Sequence, residues 1–402
     1  MKKSYPIVRP TVADIIRRHG VAYEKNHPLL PEQIRAIFDI NRCRTPELGG
    51  DVFECEDCGT KKNVYHSCCN RHCPICQGIK REQWLSDRMT ELLPVQYFHQ
   101  VFTLPHDLNP FILTNKKVML DLLFATVRQV LTRFALDPQW RLKGELGVIA
   151  VLHTWSQTLI DHFHLHCLIP GGALANDRKS WRAAGKKFLF RGKSLAKAFR
   201  NCYLALLNEA YRQGKLIFPG KTATYASPEI FFALTADLRQ KEWIVYAKAT
   251  FAGPEQVLAY LGRYTHRVAI ANSRIAAIDN DEVSFTYRDR ADGNTIKAMT
   301  LAADEFIRRY LLHVLPRGFV KIRYFGFLSH RQKKEKLAII RRLLDAAQEL
   351  AAKVKESVAR LMLRLFNLDI TRCPECNGRL LHFDEIKRKP LGWPHPPAFA
   401  PG

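Results

Sequence analysis

The chain of 402 residues reads as an α+β protein, with a small zinc-ribbon domain in front and a basic helical region behind. Three observations lead there. Seven of the eleven cysteines crowd between Cys43 and Cys76. Two strand-like segments, Gly147–Trp155 and His162–Ile169, follow one another across a short connection. Elsewhere amphipathic helical patterns are interspersed with short β-branched and aromatic runs. At roughly 150 residues per domain the length allows two or three domains, and the patterns divide it at 10–95, 96–328 and 329–402.

The elements follow in order. Thr11-x-x-Asp14 is a capping box for a short helix that Gly20 should end, and Pro31 opens a second helix reaching toward Cys43. After the cysteines, Gln77–Leu93 is amphipathic and stops at Pro94, and Tyr97–Leu104 reads as a strand. A long helix over about Leu113–Phe134 leads to the two neighbouring strands, then to a basic stretch and a helix over Leu195–Arg212. Strand-like Trp243–Phe251 precedes a helix starting at Gly253-Pro254. Ser273–Ile278 and Glu282–Tyr287 form a hairpin around Asp279-Asn280-Asp281. A helix over Ala302–Leu315, a strand over Phe319–Tyr324 and a long helix over Arg331–Phe366 complete the body, before a Pro-rich tail from Lys387.

Lys plus Arg number 62 against 38 Asp plus Glu, a net charge of +24. The excess is clustered: nine basic residues face one acid between Asp177 and Arg200, and six face Glu335 between Arg331 and Arg342. Such a balance suits a polyanionic partner, nucleic acid above all. With 47% apolar residues the chain is neither disordered nor low-complexity. No apolar run approaches the ~18 residues of a membrane span, and the first twenty residues lack a signal-peptide core. A cytoplasmic protein with no membrane partner and no small-molecule substrate is expected.

In that compartment dense cysteines mean metal, not disulfides. Cys55-x-x-Cys58 and Cys73-x-x-Cys76, fourteen residues apart, have the spacing of two zinc knuckles, and four thiolates close a structural zinc shell. Cys43, Cys68 and His72 are candidates for a second zinc. A further knuckle, Cys373-Pro-Glu-Cys376, is half a site that His382 or His395 could complete.

Two constellations carry chemistry. In His162-Phe-His164-Leu-His166, side chains two apart on a strand share a face, so His164 and His166 present paired imidazoles while Leu165 enters the core. A divalent metal is the natural guest. A third ligand should come from a neighbouring element: His153 if the preceding strand pairs antiparallel, or Gln157. In Tyr260-Leu-Gly-Arg-Tyr264-Thr-His-Arg267, helical spacing puts both phenols on one side. Arg263 and Arg267, one turn apart, could grip phosphate oxygens and contact DNA, and Gly262 suggests a close approach to the backbone. Imidazoles favour Zn, Mn or Fe-type ions, whereas substrate phosphate oxygens would suit magnesium.

Together, the segments HxHCLIPGG, YLGRYTHR and CRTPELGG…CxxC…SCxNRHCPxCQ, with Val101-Phe-Thr-Leu-Pro upstream, resemble the rolling-circle insertion-sequence transposases with an N-terminal zinc-binding domain. These belong to the HUH single-strand endonucleases, in which a hydrophobic residue separates two histidines. The resemblance runs from about residue 10 to about residue 330. It implies a catalytic domain with a central antiparallel sheet and flanking helices. His164 and His166 then match the metal ligands, Tyr260 and Tyr264 the nucleophiles, and His153 a third ligand on a looser likeness to relaxases. The implied activity is nicking and transfer of single-stranded DNA at the element's ends and target through a 5′-phosphotyrosine, with Mg2+ or Mn2+ at the catalytic site and Zn2+ in the structural one. The same chemistry would serve a replication initiator or relaxase, and a non-catalytic zinc DNA-binding protein would keep the histidines as core.

Overall fold

A computed structural model describes residues 9–249, 262, 269–289, 291–345, 357–366 and 369–390. Its strands are β1 (Gly50–Cys55), β2 (Lys61–Tyr65), β3 (Tyr97–Thr103), β4 (Gly144–Glu145), β5 (Gly147–Trp155), β6 (Asp161–Pro170) and β7 (Gly172–Ala175), then β8 (Trp181–Ala183), β9 (Val245–Ala249), β10 (Ile275–Asp279), β11 (Glu282–Asp289), β12 (Thr295–Ala302), β13 (Ile322–Gly326) and β14 (Leu380–Ile386). All strand pairings among them are antiparallel. The α+β class expected from the patterning is the one found.

Where three consecutive domains are expected, the contacts form two compact units assembled from separated stretches. One comprises Met1–Glu82, His266–Val314 and Lys353–Gly402, the other Gln83–Thr265 and Leu315–Ala352. The last described strand causes part of this: β14 returns to pair with β1, from Gly50↔Ile386 to Cys55↔Leu380.

The second unit is built on a five-stranded sheet, ordered β13-β5-β6-β3-β9. Alternation along the strands sends Phe98, Phe102, Leu152, Leu165 and Cys167 to one face, where they meet the helices Lys116–Leu136 and Gly192–Arg212 in the main core. The opposite face divides. Ile149, Val151 and Leu168 pack with Leu93, Phe327 and Leu337 at one end, leaving the other end of that face to histidines. With one face closed by helices and half of the other by apolar packing, β5 is apolar from Gly147 to Leu152, whereas β6 alternates histidines with apolar residues before its apolar end.

In the first unit the capping box closes as expected, Thr11 N–H donating to Asp14 Oδ2 (2.9 Å) and Asp14 N–H to Thr11 Oγ1 (3.3 Å). The helix nonetheless continues past Gly20 to Asn26. A Cβ at Gly20 would lie 3.1 Å from Ile16 and 3.3 Å from Ile37 of the next helix, so this glycine serves helix packing and not termination. The expected hairpin gains a third strand, β12, and the sheet β10-β11-β12 is followed by helix Ala303–Leu312.

The single helix expected over Arg331–Phe366 is two described helices, Lys333–Leu343 and Val358–Phe366, and the first ends in a turn with Asp345 at φ 48°. The C-terminal region also carries a strand, β14, that patterning did not reveal. No helix among the described residues is long and apolar enough to cross a membrane.

Candidate active site and metal centres

The register of β5, β6 and β3 builds the histidine site. His153 lies opposite His164 and Val151 opposite His166, while β3 sets Thr103 beside His164 and Val101 beside His166. Period two then puts His153, His164 and His166 on one face. All three are buried, and one nitrogen from each lies within 4.8 Å of the other two. Ring centroids are 4.2 Å apart for His153 and His166, 4.9 Å for His164 and His166, and 5.2 Å for His153 and His164.

Tautomers follow from the partners. Nδ1 of His164 lies 2.8 Å from the carbonyl oxygen of His162, which can only accept, so Nδ1 carries the proton and Nε2 keeps its lone pair. Nδ1 of His166 lies 2.8 Å from Nε2 of His99, a residue on β3 that the sequence reading did not single out. Only the strand register shows it: His99 is opposite Leu168, two residues from His166 and of the same parity. Burial lowers the His99 pKa to about 4, so this ring is neutral at ordinary pH and can accept a proton's hydrogen bond from His166. Trp155 stacks on His153 at 4.9 Å.

These rings fit a divalent cation: three imidazoles converge, and outer partners orient two of them. Gln157, the alternative third ligand, is in the connection after β5, whereas His153 is in the converging group. Tyr260, Tyr264, Arg263 and Arg267 lie outside the described residues, as does the helix expected from Gly253-Pro254. Gly262, between the tyrosines, is described and buried. A Cβ there would fall 2.4 Å from Leu85 Cδ2. The close approach that this glycine permits is by Leu85, which packs against the apolar cluster on the histidine face.

The cysteines converge differently from their spacing. One group is Cys43, Cys68, Cys73 and Cys76; the other is Cys55, Cys58, Cys373 and Cys376. The expected partnership of Cys55 and Cys58 with Cys73 and Cys76 is therefore corrected, and the reason is the β1–β2 hairpin. Cys55 and Cys58 occupy its tip, where Gly59 N–H donates to the Cys55 carbonyl (3.0 Å). Cys43 and Cys68 flank its base, where His66 N–H donates to the Gly49 carbonyl (2.9 Å). Four residues of strand, roughly 13 Å, separate the two ends. Cys73 and Cys76, just beyond the base, meet the base cysteines.

His72 is buried but stands apart from both groups, its N–H donating to Asn70 Oδ1 (2.8 Å) and its carbonyl accepting from the Tyr310 hydroxyl. His382 is paired with Asp51 at 3.3 Å, not with the C-terminal knuckle, and His395 lies outside the described residues. In the base group, sulfurs of Cys43 and Cys76, Cys68 and Cys76, and Cys43 and Cys73 are each 3.6 Å apart. Four sulfurs at 2.3 Å from a tetrahedral zinc stand about 3.8 Å from one another. Without metal the thiols compete for protons: hydrogen bonding with Cys43 drives the Cys68 pKa up and the Cys76 pKa down.

Comparison with known proteins shows the family. A family described as "Putative transposase" matches residues 147–336, spanning the histidine strands. A second, described as a transposase zinc-binding domain, matches residues 15–104. The chain is 42% identical over 399 residues to the "Putative transposase y4qJ" of Sinorhizobium fredii, covering 96% of this chain and 98% of that protein. The chain belongs to this transposase family. It is also 26% identical over 361 residues to the transposase for insertion sequence element IS801 of Pseudomonas savastanoi pv. phaseolicola, covering 87% and 83% of the two chains. No solved structure matches the chain significantly. A transposase with an N-terminal zinc-binding domain and a four-cysteine cluster inside it carries structural zinc.

Proposed function

We propose that this transposase is a metal-dependent single-strand DNA endonuclease and strand transferase that moves its element by a rolling-circle route. The convergence of His153, His164 and His166 on one sheet face carries the reading. A divalent cation held there, Mg2+ or Mn2+, would polarise the scissile phosphate and lower the barrier to attack by a weak nucleophile. His164 offers Nε2 because its Nδ1 is committed to the His162 carbonyl, and His99 holds the His166 ring.

Tyr260 and Tyr264 are the proposed nucleophiles. One phenol gives up its proton to water as its oxygen bonds to phosphorus, the bond from phosphorus to the 3′ oxygen breaks, and that oxygen takes a proton from water and leaves as a hydroxyl. The result is a 5′-phosphotyrosine that preserves the ester for rejoining, and a second tyrosine lets a second strand be handled. Gly262 packed on Leu85, itself against the cluster on the histidine face, supports an approach of the tyrosine segment to that face. Arg263 and Arg267 would bind phosphates beside the phenols. Exposed Lys186, Lys187, Arg191, Lys193 and Lys197 offer the same unit a positive surface for the DNA backbone. Cys43, Cys68, Cys73 and Cys76 are the proposed ligands of the structural zinc.

A single-stranded oligonucleotide carrying the element's end tests the mechanism. Wild-type protein should form a covalent adduct in Mg2+ or Mn2+ that survives denaturing electrophoresis. The variant Tyr260→Phe with Tyr264→Phe should form none. An adduct of unchanged yield in that variant would remove the tyrosines from the reaction.

A further inference from the structure

Half of the second four-cysteine group lies far outside the stretch that matches a zinc-binding domain, which ends at residue 104. Its geometry is nonetheless that of a built site. The sulfurs of Cys55 and Cys376 are 3.4 Å apart and those of Cys58 and Cys373 are 3.7 Å apart, close to the ~3.8 Å edge of a zinc tetrathiolate. We infer that Cys55, Cys58, Cys373 and Cys376 bind a second structural zinc ion, which clamps the C-terminal strand onto the N-terminal ribbon.

The two contributing loops are near duplicates. In Cys55-Glu-Asp-Cys58-Gly59-Thr60, Gly59 N–H donates to the Cys55 carbonyl (3.0 Å) and Cys55 N–H to the Thr60 carbonyl (3.1 Å). In Cys373-Pro-Glu-Cys376-Asn377-Gly378, Asn377 N–H donates to the Cys373 carbonyl (3.0 Å) and Cys373 N–H to the Gly378 carbonyl (2.8 Å). The residue after each second cysteine is left-handed, Gly59 at φ 68° and Asn377 at φ 63°. This is the turn that aims two sulfurs to one side, made twice and set face to face.

The backbone closes around the sulfurs. Gly378 N–H donates to Cys376 Sγ (3.4 Å), as amides do to metal thiolates. A Cβ at Gly378 would lie 2.8 Å from Cys55 Sγ and 2.3 Å from Asp57 Oδ2, so a larger residue there would have to displace the sulfur or the carboxylate where the loops meet. Glu56 N–H donates to the Arg379 carbonyl (3.1 Å), tying one loop to the other.

Apolar packing does not hold this junction. Its buried hydrophobic cluster is Cys55, Cys373 and Leu380, with Phe53 half-buried against it. So small a core needs a metal or a crosslink to fix a strand. It follows that the ribbon is completed only when the chain's end is present: a product stopping before Cys373 lacks both the ion and the third strand of the sheet.

The test reads metal and thiols, not DNA cleavage, and so stands or falls apart from the nuclease reading. Purified full-length protein should hold two zinc ions at cysteine sites per chain. Cys373→Ser with Cys376→Ser should hold one, Cys55→Ser with Cys58→Ser should also hold one, and all four changes together should still hold one. Retention of two by the C-terminal double variant, or one in the wild type, overturns the inference. Should a variant misfold, alkylation mapped by peptide mass on the wild type decides. Zinc-loaded Cys58 and Cys376, although at the surface, should resist N-ethylmaleimide and become reactive together when a chelator is added. Equal reactivity of Cys376 with and without the chelator would refute the shared ion.

Discussion

His99 and His166 stand on adjacent strands with Nε2 of the first 2.8 Å from Nδ1 of the second. The contact orients the His166 ring and leaves its Nε2 toward the other imidazoles. Outer partners of this kind raise metal affinity by fixing the ligand's tautomer and angle. His99→Ala should therefore weaken Mn2+ binding by about 10–100-fold. Titration of Mn2+ followed by the spin signal of the free ion measures this, with far-ultraviolet circular dichroism as the control for folding. Unchanged affinity would show that the packing of β3 alone holds His166 in place.

The third imidazole can be separated from its alternative. His153 shares a face with His164 through direct cross-strand pairing, whereas Gln157 follows the end of β5. In the same titration His153→Ala should reduce Mn2+ affinity by at least tenfold, and Gln157→Ala should leave it near the wild-type value. The reverse pattern would move the third ligand into the loop. His164→Ala with His166→Ala should abolish the site.

Much of the histidine geometry was readable, because period two is a property of any strand and needs only the apolar residues between to name the buried face. Leu165 and Cys167 in the core, with His164 and His166 opposite, are that rule at work. The antiparallel match of His153 with His164 was readable as one option, since a short connection permits it. His99 was hidden because its value depends on a register between strands more than sixty residues apart. Cysteine partnership was hidden for a related reason. Spacing identifies knuckles, but which knuckles meet is decided by a hairpin that separates Cys55 from Cys43 and by a strand returning from residue 380. In β14 the sequence Leu-Leu-His-Phe-Asp-Glu-Ile has no clean alternation, so only its pairing with β1 reveals it.

Acid stability should depend on Glu305, in the first turn of helix Ala303–Leu312. Arg308 Nε and Arg309 Nε each donate to its carboxylate at 2.6 Å. Hydrogen bonding from Arg308, aided by Arg309, lowers its pKa from 4.5 to about 2. A carboxyl lowered on folding contributes stability that is whole above its unfolded value and lost as pH falls through its folded one. Wild-type stability should thus fall between about pH 4.5 and pH 2 more steeply than that of Glu305→Gln, by up to one proton. Urea unfolding across that window checks the slope. Parallel curves would mean that the pair persists or is absent in both states.

Gly262 offers the most direct probe of how the tyrosine segment is seated. A Cβ at this position would come within 2.6 Å of all three outer carbons of Leu85, not merely graze a mobile methyl group. Leu85 cannot simply swing aside, because it packs against the cluster that includes Val151 and Leu168 on the histidine face. Gly262→Val should therefore cost about 1–3 kcal/mol by overpacking, seen as a lower thermal midpoint, and should reduce the yield of covalent DNA adduct. Shrinking the obstacle should undo part of the damage: Leu85→Ala, mildly destabilising alone, should recover adduct yield when combined with Gly262→Val. Such a recovery is a coupling that independent sites do not show. Strictly additive losses in the double variant would mean that the packing of Gly262 on Leu85 does not control where Tyr260 and Tyr264 present their hydroxyls.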